Sequence, residues 1–304
     1  MSPCYGSPQF SKVASGTGIK VYRCLRFTPN GRNHSSPWAS KVLNSRLGRE
    51  SVLIQQRLFK EAEILRQMDH PNIIKLKIVN GIEERSTALN LEFGGKSLSE
   101  ILYGTRKSSF NDSVSLTAEN CQIIITDVIN ALKYLHLEKF LLHGDIKSDN
   151  ILFDQQKNVA KVCDFGVSLE MRAGGSGEFL VRKNHSECYF GSPEYQPKEV
   201  MVEVDCEEDR SITDRCDIWA FGLVIFEIIV RKPPYSRLIP SPDGKSGFEI
   251  AVDPAIDELL GTKPILSDQT FYAPEKVVKL FNWCTEEDFR DRASILNVHH
   301  LWNE

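Results

Sequence analysis

In the stretch LLHGDIKSDNILF, residues 141–153, an aspartate, a lysine and an asparagine stand close together between two apolar runs. Asp145 offers a carboxylate that can take a proton, Lys147 an ammonium that can hold an anion, and Asn150 an amide oxygen. Further along, CDFG sets a second carboxylate, Asp164, before Phe165 and Gly166. Carboxylate and amide oxygens are hard donors and suit a hard divalent cation. A base, oxygen ligands for a cation and a positive charge are what moving an anionic group onto a hydroxyl requires. Taken singly, each half also reads as a polar turn between two strands.

The two halves in this order, H-x-D-x-x-x-x-N and then D-F-G, resemble the catalytic loop and DFG motif of protein kinases. The resemblance implies Asp145 as the catalytic base, Asn150 and Asp164 as ligands of Mg²⁺, and Lys147 as the cation that steadies the transferred phosphate. A lysine two residues after the aspartate looks like the serine/threonine type. WASK puts Lys41 where kinases keep the lysine that pairs with the α- and β-phosphates of ATP. Glu61 lies three residues after Leu58 and four before Leu65 on a predicted helix, so it edges the apolar face and can reach Lys41. LNLEFGG sets Leu91 at the gatekeeper position and Glu92 to Gly94 on the adenine-binding hinge. By the same resemblance Val13, Gly16, Val21, Ala39 and Leu152 belong to the nucleotide site. CDIWAFG is similar to the buried helix whose aspartate, here Asp217, braces the catalytic loop, and Glu199 of PKE is expected to pair with Arg292.

These residues need elements to position them. Residues 1–11 read as a Ser-, Pro- and Gly-rich tail, ahead of a kinase domain over 12–304. Short β-rich runs such as IKVYRCLRF and PWASKVL are separated by turn residues. Leu58, Ala62, Leu65 and Met68 recur at helical spacing, and HPNII ends that helix, since Pro71 cannot continue it. KLKIVNGI and TALNLEF read as strands. In CQIIITDVINALKYLHLEK the apolar positions Cys121, Ile124, Ile125, Val128, Ile129, Leu132 and Leu135 form a helical stripe, with Thr117 available as N-cap. The expectation is an α+β, bilobal kinase fold: a β-rich small lobe with one helix over about 12–93, a hinge at Phe93 to Lys96, and a larger helical lobe over about 97–304.

Two departures from the pattern stand out. In VASGTGIKVY, Ala14 and Ile19 replace the first and third glycines of the phosphate-covering loop, and Gly18 comes one place early. Side chains where backbone should approach phosphate would crowd ATP, while Gly18 can let the turn tip adopt positive φ. Gly144 stands where most kinases have an arginine that pairs with an activation-loop phosphate, so activation through that latch is not expected. The activation segment from Asp164 to Glu199 carries Ser168, Ser176, Ser186, Tyr189 and Ser192.

HGDIKSDN, CDFGVSL, ECYFGSPEYQPKE and LGTKP together resemble the lymphokine-activated killer T-cell-originated protein kinase (PDZ-binding kinase) family. That family is similar to MAP kinase kinases, which implies dual specificity, a p38-type MAP kinase as protein substrate and a mitotic association. The chain ends LWNE, without an apolar terminal residue for a PDZ pocket, so no PDZ partner is expected. The competing reading is a pseudokinase scaffold, which argues from the irregular glycine loop. Against it, Lys41, Glu61, Asp145, Asn150 and Asp164 are all present. A small-molecule kinase fits the segment GSPEYQPKE poorly.

Composition narrows the classes further. Net charge is −4, from 37 basic and 41 acidic residues, so no global positive field would hold nucleic acid or an anionic membrane. Eight scattered cysteines without a CxxC pair argue against a disulfide framework or zinc site and for a reducing compartment. MSPCYGSPQF lacks the features of a signal peptide, and WAFGLVIFEIIV, interrupted by Glu227, reads as a buried core helix. A cytoplasmic protein is expected, with nuclear access open.

Overall fold

The computed structural model describes residues 9–15, 18–25, 37–43, 50–78, 88–104, 116–174, 179–181, 191–201, 212–240, 248–266 and 273–304. They pack as two compact units. The first runs through Gly95 and takes in Cys163–Gly166, and the second holds Lys96–Val162 and Val167–Glu304. A sheet-based N-terminal region is followed by a helical C-terminal region, α+β in class.

The first unit is built on strands β1 (Gln9–Ser15), β2 (Ile19–Leu25), β3 (Trp38–Leu43), β4 (Leu76–Ile78) and β5 (Ala88–Glu92), with helix α1 (Glu50–Arg66). The sheet is antiparallel, in the order β1-β2-β3-β5-β4. Strand β1 begins at Gln9, inside the stretch read as a tail, and residues 1–8 lie outside the described set. Register matters for function here. Val21 pairs with Lys41 and Ala39 with Leu91, so four expected site residues occupy neighbouring positions on three adjacent strands. Helix α1 buries Leu58, Ala62 and Leu65, each leucine worth roughly 1.5–3 kcal/mol once removed from water. The helix stops at Arg66, so Met68, expected on the same stripe, falls beyond its end. Ile73 and Ile74 of HPNII are core residues.

The second unit opens with β6 (Lys96–Ser97), α2 (Leu98–Tyr103) and the long α3 (Ala118–Leu137). Thr117 caps α3, its Oγ1 accepting the Asn120 N–H at 3.1 Å, a bond worth about 1 kcal/mol. The apolar stripe of α3 is buried at Ile124, Ile125, Val128, Ile129, Leu132 and Leu135. Next come β7 (Leu141–Leu142), β8 (Ile151–Asp154), β9 (Val159–Val162), β10 (Leu169–Ala173) and β11 (Phe179–Val181), in two small sheets ordered β11-β10-β7 and β6-β8-β9. Helix α4 (Lys198–Met201) precedes α5 (Arg215–Val230). Helix α5 is buried from Cys216 to Ile228, an apolar run broken only by Asp217 and Glu227, as a helix covered on all sides requires. A hairpin of β12 (Ser236–Pro240) and β13 (Phe248–Val252), with α6 (Ile256–Leu259), has no counterpart in the sequence reading. Helices α7 (Glu275–Cys284) and α8 (Ile295–Asn303) complete the unit. Among the described residues no helix is long and apolar enough to cross a membrane.

Candidate active site

In the first unit three charged side chains converge. Lys41 Nζ, from β3, lies 2.8 Å from Glu61 Oε2 on α1 and 2.9 Å from Asp164 Oδ1. The pairing of Glu61 with Lys41 is the one that the resemblance implied and the helical spacing allowed. Both members are withdrawn from solvent, whereas the Asp164 side chain is 41% exposed. Burial pulls the Lys41 pKa down, but the charges of Asp164 and Glu61 outweigh it and hold the ammonium above the ordinary lysine range. Burial pushes the Glu61 carboxyl up to about 7, against the lowering effect of Lys41. Asp164 has φ +71, a left-handed backbone that a non-glycine residue adopts only when its surroundings enforce it.

The other residues expected in this unit divide. Val21 and Ala39 are half-buried, and Leu91 and Gly94 are buried. Glu92 turns its carboxylate onto the Lys75 N–H at 2.8 Å. Val13 falls at an irregularity in the β1–β2 ladder between Lys12 and Ala14 and is 37% exposed. Gly16 lies outside the described residues, as do Ser176, Ser186 and Tyr189 of the activation segment. Gly18 has φ +85, the conformation proposed for the turn tip.

In the second unit the loop between β7 and β8 gathers Asp145, Lys147 and Asn150. The Asn150 Nδ2 donates to the Asp145 carbonyl at 2.8 Å and to its Oδ2 at 3.0 Å. Lys147 Nζ lies 2.8 Å from the same Oδ2. The remaining oxygen, Oδ1, accepts two bonds from Ser192: its N–H at 2.9 Å and its hydroxyl at 2.8 Å. Lys147 Nζ also donates to Ser192 Oγ at 2.6 Å. Leu152 sits half-buried on β8, opposite Ser97 and Lys161.

Asp217 of α5 holds this loop from beneath, accepting the N–H groups of His143 at 2.8 Å and Gly144 at 2.9 Å. His136 Nε2 meets the same carboxylate at 2.9 Å. Burial raises the Asp217 pKa, but the bond and charge of His136 overcome it and leave it below the ordinary aspartate value. Gly144 has φ +79, and a Cβ there would stand 3.2 Å from the Val167 carbonyl oxygen. Glycine adopts this conformation without the strain that a side chain would bring.

A protein kinase domain model matches residues 9–302. The chain belongs to the protein kinase family. The lymphokine-activated killer T-cell-originated protein kinase of Homo sapiens is 34% identical over 304 residues, covering 96% of this chain and 88% of that protein. A putative mitogen-activated protein kinase kinase kinase 7-like protein of Drosophila melanogaster is 26% identical over 254 residues, covering 83% of this chain and 56% of its own. Serine/threonine-protein kinase pak-2 of Caenorhabditis elegans is 31% identical over 184 residues, or 60% of this chain and 30% of that one.

Two features of this kinase escaped the sequence reading. Ser192 appeared there only as one of several activation-segment hydroxyls, and nothing local signals its bonds to Asp145. Glu227, noted only as a charge interrupting an apolar run, is a buried hub. Its Oε1 accepts from the hydroxyls of Tyr195 and Ser148 at 2.8 Å each and from Tyr103. Burial raises Glu227 to about 7. Arg292, by contrast, was legible. Its guanidinium forks onto Glu199 at 2.6 and 3.2 Å and lies 4.9 Å over the Trp219 ring.

Proposed function

We propose that this kinase transfers the γ-phosphoryl group of Mg-ATP to serine and threonine hydroxyls of protein substrates, with Asp145 as the base. The observation that carries the reading is the Ser192 hydroxyl, donated to Asp145 Oδ1 at 2.8 Å. A general base must lie within hydrogen-bond reach of the proton it takes, and this carboxylate already receives a serine hydroxyl at that range. Asn150 and Lys147 fix its orientation by engaging the other oxygen.

The remaining roles are those that the resemblance to protein kinases implies for these positions. Lys147 steadies the transferred phosphate. Lys41, held by Glu61, takes the α- and β-phosphates. Val13, Gly16, Val21, Ala39, Leu91, Glu92, Gly94 and Leu152 form the nucleotide site. Protein kinases generally use ATP with Mg²⁺, and the donors present fit that ion. Asn150 spends its Nδ2 on Asp145, which leaves its oxygen for a cation, and Asp164 offers a carboxylate. When bound, Mg²⁺ would supply charge neutralisation over the phosphates. We further infer a MAP kinase kinase-like role in the cytoplasm, with access to the nucleus. In this reading the enzyme acts on a p38-type MAP kinase, has dual specificity reaching tyrosine, and is active in mitosis. Its support is the likeness to the lymphokine-activated killer T-cell-originated protein kinase family.

The test is radiolabelled phosphate transfer to a generic basic protein and to a p38-type MAP kinase, wild type against Asp145→Asn. Loss of the base is expected to lower the rate on the order of 10²–10⁴-fold. Equal background from both chains at high ATP would overturn the reading and favour a pseudokinase scaffold.

A further inference from the structure

Ser192 does more than orient Asp145. It precedes Pro193, and its backbone is extended, with φ −64 and ψ 126. Ser-Pro in an extended conformation is the chemistry read by proline-directed protein kinases. The residue is half-buried, and its neighbours Asp145 and Lys147 retain 14% and 22% side-chain exposure. The hydroxyl sits between one carboxylate oxygen at 2.8 Å and one ammonium at 2.6 Å.

We propose that Ser192 is an inhibitory phosphorylation site, modified from ATP by a proline-directed protein kinase. The modification forms an Oγ–P bond and breaks the bond between the γ-phosphorus of ATP and its bridging oxygen, releasing ADP. The hydroxyl proton passes to the modifying kinase's own base. The product carries a charge of about −1.5 to −2 at neutral pH. Three consequences follow at once. Asp145 loses the hydroxyl donor that now occupies its Oδ1. It faces a like charge at close range, which repels the carboxylate from its position. Lys147, within 2.6 Å of the same Oγ, is drawn into a charge-assisted pair with the resident phosphate. Gly144, next to Asp145, has no side chain with which to neutralise the added charge.

The inference rests on Asp145 being the base, so the experiment carries both questions. Phosphoserine is installed at position 192 of the full chain, and transfer to a generic basic protein is compared across this form, wild type, Ser192→Ala and Asp145→Asn. The phosphoserine form is expected to run about 10²-fold or more below wild type, and below Ser192→Ala, with full recovery on phosphatase treatment. Recovery also shows that the modified chain is folded. In parallel, folded Asp145→Asn chain, which cannot modify itself, is incubated with a proline-directed kinase and Mg-ATP, and mass spectrometry is expected to find phosphate on Ser192. A phosphoserine form as active as Ser192→Ala, or no phosphate on Ser192 in the folded chain, would overturn the proposal while leaving the base assignment intact. A wild type no faster than Asp145→Asn would instead remove the base assignment, and this proposal with it.

Discussion

Lys41 and Glu61, twenty residues apart in sequence, meet at 2.8 Å with 9% and 1% of their side chains exposed. Removing one partner of a buried pair costs about 3–5 kcal/mol, because the other is left charged and desolvated. Here the two removals are not equivalent. Glu61→Gln leaves Lys41 paired with Asp164 at 2.9 Å, whereas Lys41→Met removes the ammonium that both Glu61 and Asp164 engage. Lys41→Met is therefore expected to be the more destabilising of the two, with Glu61→Gln at the lower end of that range or beneath it. Urea denaturation of both variants at neutral pH checks the ranking, and the reverse order would show that Asp164 does not stabilise the lysine.

Gly144 tests whether the glycine of HGD is a conformational necessity. An L-residue in the left-handed region costs roughly 1–2 kcal/mol, and a Cβ 3.2 Å from the Val167 carbonyl oxygen leaves little room to relax. Gly144→Ala is expected to lower stability by about that amount. Its amide also donates to Asp217, so the same substitution is expected to slow transfer by displacing Asp145. Thermal denaturation together with the transfer rate reads both effects. An alanine variant with wild-type stability would mean that the loop tolerates a side chain, and the absence of an arginine would then need another cause.

What could be read in the sequence depended on distance along the chain. The α3 stripe and the Thr117 cap are local, so periodicity and one hydroxyl suffice to place them. The motifs around Asp145 and Asp164 stand out because short fixed spacings carry them, whereas Lys41 was picked out only through the family resemblance. Ser192 was not. Its bonds to Asp145 span 47 positions, and the Glu227 contacts span 32 to 124. A buried glutamate in an apolar run says that a partner exists, not which tyrosine supplies it. The β12–β13 hairpin failed for a different reason. SRLIP is short, begins close after two prolines and ends on a third, a composition that reads as a turn.

Arg292 carries the link between α4 and the C-terminal helices. Its side chain is fully withdrawn from solvent, forks onto Glu199 and also donates to the carbonyls of Arg215 at 3.1 Å and Glu286 at 2.8 Å. Arg292→Ala leaves Glu199 and these carbonyls without their donor, and a loss of about 3–5 kcal/mol is expected. Arg292→Lys keeps the charge but cannot reproduce a planar fork, so it should fall between alanine and wild type. Denaturant midpoints order the three chains. A lysine variant indistinguishable from wild type would show that charge alone holds Glu199.

Glu227 gives the kinase a specific pH dependence. The ordinary carboxyl value is 4.5, and burial raises this one to about 7 in the folded chain. Between those values the native state binds more protons than the unfolded state, so stability falls as pH rises through the window and levels off above it. The shift corresponds to roughly 3 kcal/mol when the group is fully ionised. Among the described residues, Oε2 of Glu227 meets no donor, while Oε1 takes the three hydroxyls. Glu227→Gln keeps an oxygen for those hydroxyls and carries no charge. It is expected to match or exceed wild-type stability at pH 8 and to lose less stability than wild type between pH 5 and pH 8. Glu61, raised to about 7 by its own burial, is common to both chains and cancels in the comparison. Urea unfolding at the two pH values gives the slopes directly, and equal slopes would mean that the Glu227 carboxylate is solvated or paired well enough to ionise without cost.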